Sequence, residues 1–133
     1  MNIKSALVYA SIALFCASCG ANSVPAVGYQ KYKDMNTDYL ISIGGTGKEI
    51  KYNSCSYAYI TGDGVYEAGT LKETVYYCAT WTMTLGSGST NATEYFVYYK
   101  STDQIATFKD STAYTYACEL ISDGSLAGQL GRL

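Results

Sequence analysis

From Thr74 to Leu85 the chain alternates without a break. Val75, Tyr77, Ala79, Trp81, Met83 and Leu85 share one parity, and Thr74, Tyr76, Cys78, Thr80, Thr82 and Thr84 share the other. Side chains two apart lie on one face only in an extended backbone, so strict period two over twelve residues reads as a strand with unlike faces. A helix would smear both sets around its axis. A strand this long must bury one face and pair along its edges, so the rest of the chain is read for partners.

Partners are available on both sides. Downstream, the polar stretch from Gly86 to Thr93 reads as a flexible loop, and TEYFVYYK after it as a strand returning along the first. Upstream, KEIKYNSCSYAYIT runs into Gly62-Asp63-Gly64, a turn sequence whose expected return strand is VYEAGTL. YLISIGG is a further short buried strand ended by glycines. STDQIATFKD fits either a short helix, since Ser101 and Gln104 have capping-box spacing, or a continuation of the sheet. STAYTYACELIS alternates weakly. Tyrosine, fifteen residues in all, favours strands and brings an apolar ring with a polar tip. The expectation is an all-β fold, a small antiparallel meander, sandwich or barrel, following an N-terminal signal peptide. Residues 1–18 are the signal peptide, 19–37 a tether with a single helical turn, 38–122 the β-rich domain and 123–133 a loosely ordered tail.

The signal-peptide reading rests on MNIKSALVYASIALFCASC: one cation at Lys4, an apolar run from Ala6 to Ala17, then small residues. The run is shorter than the ~20 residues a membrane-spanning helix needs, and it has the three-part plan of a secretory leader. Cys16-Ala17-Ser18-Cys19 resembles the lipobox of bacterial lipoproteins, with Cys16 standing where leucine is usual. That resemblance implies cleavage before Cys19, acylation of its sulfur and attachment to a membrane from the extracytoplasmic side. Cleavage after Ala21 is the alternative, and would release a soluble secreted protein beginning at Asn22.

Past the leader, eight basic and eleven acidic residues give a net charge of −3, and the one arginine, Arg132, stands among scattered lysines. Nucleic-acid binding is not expected, because phosphates call for clustered cations. Cys55, Cys78 and Cys118 are disulfide candidates; spacing does not say which two pair, and the third remains a buried or intermolecular thiol. With no histidine and no CxxC pair after processing, neither a metal site nor a cofactor is expected.

The absence of histidine also removes the usual Ser-His-Asp and Cys-His relays. A hydrolase built on paired carboxylates, Glu67 with Glu73 or Asp63 with Glu94, remains formally open, but acids on an alternating scaffold are ordinary surface charge. SIGGTGKE fails as a phosphate loop, since Ser42 replaces the first glycine and Glu49 the hydroxyl residue, and reads as a turn between strands. LKETVYYCATW looks like the F strand of an immunoglobulin variable domain, yet Cys55 lies too close upstream and Trp81 follows Cys78 instead of preceding it. Asn91-Ala-Thr93 meets the N-glycosylation rule in the expected loop. The reading is therefore a non-enzymatic envelope or surface protein, lipid-anchored through Cys19, that contacts a protein or glycan through tyrosine-rich surface or the 86–93 loop. A secreted inhibitor of an extracytoplasmic hydrolase is the alternative.

Overall fold

A computed structural model describes residues 22–44, 48–62 and 73–133. The signal peptide, Cys19, Asp63, Glu67 and the expected return strand 65–71 lie outside the described residues. The described elements run, in order, α1 (Val24–Gly44), β1 (Lys48–Ile60), β2 (Thr74–Leu85), β3 (Gly88–Tyr99), β4 (Gln104–Phe108), α2 (Thr112–Ser122) and β5 (Gly128–Arg132). The five strands form one sheet in the order β4-β3-β2-β1-β5, antiparallel at every pairing.

The alternating run is the middle strand. Val75, Tyr77, Ala79 and Trp81 are buried on the face that α1 covers, with Tyr29, Tyr32, Cys55, Tyr57, Phe96 and Tyr98 completing that core. Tyr76 lies on the other face, where Ala117 of α2 packs with Ala58, Ile60 and Leu126. Sheet parity thus divides the molecule into three layers, helix, sheet and helix, with a core on each side of the strands. Along β1 a register shift between Tyr52 and Ser54 inserts Asn53 as an extra residue. The bulge lets Tyr52 and Cys55, three positions apart, both face α1.

The protein is β-rich, as its pattern implies, but not all-β: the described residues contain two helices. Residues 24–37 form the first part of α1 and not a tether, and YLISIG forms its last turns and not a strand. Ser23 starts α1, its Oγ accepting from the Ala26 N–H at 3.3 Å, and Pro25 falls in the first turn, where no intrahelical donor is lost. The helix is held by docking, through buried Tyr29, Tyr32 and Leu40, more than by intrinsic preference. SIGGTGKE therefore begins in a helix and ends in β1; it does not join two strands.

Three further expectations change. STAYTYACELIS is α2, whose spacing brings Tyr114 and Cys118 onto one helical face, while STDQIATFKD contributes β4 to the sheet. The loop expected at 86–93 shrinks to a tight turn at Gly86 and Ser87, with Gly86 at φ 62, and Asn91 sits within β3 opposite Thr82. Its side-chain oxygen accepts from Thr82 Oγ1 at 2.8 Å, so the sequon is strand and not loop. Finally, 128–132 is no loose tail but an edge strand paired with Ser56–Ile60. A Cβ at Gly131 would stand 2.3 Å from Tyr57 Oη, so this strand reaches its place only because glycine leaves the phenol room.

Candidate functional site

The N-terminal half of α1 crosses the sheet above β1 and leaves a cleft of about 640 Å³ toward β5. Tyr29 and Lys33 line it from the helix, Tyr57 and Tyr59 from β1, and Gln129 and Arg132 from β5. Among the described lining residues, Lys33 and Arg132 are the charged side chains. Lys33 Nζ lies 4.5 Å from the centre of the Tyr29 ring, a cation–π contact that holds the ammonium over the rim. Burial, with smaller contributions from the neighbouring Cys55 and Tyr52, pushes the Tyr29 phenol up to about 12, and burial also raises Tyr59. Both phenols stay neutral at ordinary pH, so the charged side chains among the described lining residues are the two cations, in a chain that is net acidic. On its other side Lys33 shares a shallow recess with Asp34 and Asp38.

Cys55 lies in the adjoining core, 1% exposed. Burial drives its thiol up to about 12 and the neighbouring Cys78 adds to the rise, against the opposing pull of Lys33 and Arg132. A thiol held protonated is a poor nucleophile, so Cys55 acts as a small apolar side chain. Cys78 and Cys118 lie on the opposite face of the sheet, toward α2; all three are free thiols.

Of the carboxylates named as formal catalytic pairs, Asp63 and Glu67 lie outside the described residues, and Glu73 and Glu94 are each engaged elsewhere. Glu73 ends the segment before β2, with φ 56, and pairs with Lys100 at 3.5 Å. Glu94 sits well along β3, opposite Ala79, and accepts from the Tyr32 hydroxyl and from Trp81 Nε1 at 3.3 Å. Tyr32 in turn stacks on Phe96 with centroids 3.9 Å apart, so Glu94 terminates an aromatic stack. No group of three or more acidic or thiol side chains among the described residues is placed to hold a metal ion. No described helix is long and apolar enough to cross a membrane.

Lys33, Arg132 and the tyrosines of the cleft were not distinguished in the sequence. Their meeting depends on two placements, helix over β1 and tail beside β1, and no short spacing records either. Comparison of the chain with protein-family models, curated proteins and solved structures finds no match.

Proposed function

We propose that this is an exported envelope protein, held to a membrane through Cys19, that works by binding, and that the α1–β5 cleft receives an anionic group of its ligand. The observation that carries the reading is the presence of both Lys33 and Arg132, with no acidic side chain among the described lining residues, in a tyrosine-lined recess. Guanidinium and ammonium groups pair with carboxylate or phosphate oxygens, and the phenol rings offer flat surface to the body of the ligand. Cys19 stands five positions before Val24, a reach of at most roughly 18 Å in extended chain. Ser23 and Val24 line the cleft, so an anchor there would keep the recess near the membrane surface.

Titration with carboxylate- and phosphate-bearing peptides and glycan fragments, followed by chemical-shift changes at Lys33 and Arg132, tests the site. Affinity should fall about tenfold or more in Lys33→Ala or Arg132→Ala, in line with loss of one charge-assisted hydrogen bond. Ligands that bind both variants as tightly as the parent would rule the cleft out. Intact mass from the native host tests the anchor separately: an acylated chain beginning at Cys19 supports it, and a chain beginning at Asn22 refutes it.

An inhibitor is the second reading, favoured by the β2–β3 hairpin end, where every residue from Leu85 to Asn91 is exposed. Near-stoichiometric block of a purified envelope-degrading hydrolase, lost when Leu85 and Gly86 are replaced, would support it. Failure against a panel of such hydrolases would remove it.

A further inference from the structure

We propose that Cys78 and Cys118 are a disulfide-forming pair that staples α2 to the sheet, while Cys55 is set aside as a permanent thiol. Strand parity makes the separation. Cys55 faces α1, whereas Cys78, one position off register from it across the β1–β2 ladder, faces α2. Its two cross-strand neighbours are Ser56 on β1 and Tyr95 on β3.

The same two neighbours receive α2. Ser56 Oγ lies 2.9 Å from Tyr114 Oη, and the Tyr95 and Tyr114 rings are 6.1 Å apart. Cys118 follows Tyr114 by one helical turn on the same face and packs against the Ala58, Ile60, Ala117 and Leu126 cluster. Ala58 and Ala117, both small, pack with Cys118 between α2 and the sheet, and a disulfide would need the Cys78 and Cys118 Cα atoms to come within about 4.4–6.8 Å. Cys118 is raised first by burial, with the Tyr114 hydroxyl acting in the opposite direction and Cys78 adding to the rise.

The chemistry is thiol–disulfide exchange with a small-molecule or protein disulfide. Cys118 loses its proton and its thiolate attacks one sulfur of the donor, whose other half leaves as a thiolate and takes up a proton. The Cys78 thiolate then attacks the Cys118 sulfur and expels the second donor thiol. Two protein thiols are oxidised by two electrons, and one donor disulfide is reduced to two thiols.

The test is exposure of the folded chain to oxidised glutathione, then alkylation and tryptic mapping without reduction. The three cysteines fall in separate peptides, 52–72, 73–100 and 110–132. The expected product links 73–100 to 110–132, leaves Cys55 alkylated only after denaturation, and slows amide exchange across α2 several-fold until dithiothreitol restores it. A bridge involving Cys55, or recovery of all three peptides unlinked, overturns the proposal. In Cys118→Ser the link should vanish without a new one, and Cys78 pairing with Cys55 in that variant would equally overturn it.

Discussion

Tyr77 Oη donates to the carbonyl oxygen of Pro25 at 2.8 Å, tying the centre of the sheet to the first turn of α1 from inside the core. The same ring stacks on Phe96, with centroids 4.5 Å apart. Tyr77→Phe keeps the stack and removes the donor, so stability should fall by about 1–2 kcal/mol. Urea unfolding gives the number, and an unchanged midpoint would show that the bond contributes nothing net.

At Gly28 α1 lies close against the sheet. A Cβ there would stand 2.3 Å from Tyr77 Oη and 2.8 Å from Tyr98 Cβ, and the second atom is fixed to backbone. Alanine would raise helix propensity by ~1 kcal/mol, yet the clash should cost about 2–4 kcal/mol and lift the helix. Gly28→Ala is therefore expected to destabilise on balance. A stabilised variant by thermal melting would mean that α1 sits farther out than described.

Glu94 closes a small polar cluster at the end of the aromatic stack. Glu94→Ala leaves the hydroxyl of Tyr32 and the indole N–H of Trp81 without this acceptor, and should cost about 1–3 kcal/mol. Glu94→Gln retains an acceptor oxygen and should cost less than half as much. Equal losses in the two variants, read from the emission of the single tryptophan during unfolding, would contradict the arrangement.

Glu73 is a test of backbone strain. Its φ of 56 is the left-handed region, and its partner Lys100 is half exposed. Relief of backbone strain, ~1–2 kcal/mol, outweighs a surface ion pair of ~0–1 kcal/mol and the extra freedom glycine gives the unfolded chain. Glu73→Gly should thus gain roughly 0.5 kcal/mol, and a loss in the same denaturation assay would count against this balance.

Alkaline pH should unfold the protein early. Cys55 rises from 9.0 to about 12 and Tyr29 from 10.0 to about 12, and burial also raises Tyr77, Tyr76 and Tyr59. Each group holds its proton more tightly folded than unfolded. Its contribution is complete below the unfolded value and lost as pH climbs toward the folded one, at ~1.4 kcal/mol per pH unit for each fully titrating group. Urea midpoints measured under reductant should be flat to about pH 8.5 and drop steeply between 9 and 12. A level profile through pH 11 would sink the argument.

How much was legible depends on which signal each segment carries. The alternation of 74–85 and the return strand after it are local patterns, and both appear at their expected places with Val75, Tyr77 and Ala79 buried. The helix α1 escaped because its inward stripe is made of Pro25, Gly28, Tyr29, Tyr32 and Leu40, residues that do not look like one apolar stripe. Meanwhile Ile41 and Ile43, which suggested a strand, are exposed on its last turns. Glycines in the last eleven residues read as looseness; at Gly131 the glycine is what lets the backbone rest on a phenol. The cleft inherits both misreadings, since one wall is α1 and another is β5.

The pairing of Ser56–Ile60 with Gly128–Arg132 has a kinetic side. A ribosome must add residues 61–127 before β1 meets β5, so this border of the ribbon waits for its neighbour through that span of synthesis. Long-separation contacts of that kind slow maturation. A chain interrupted before Gly128 would leave β1 without this companion.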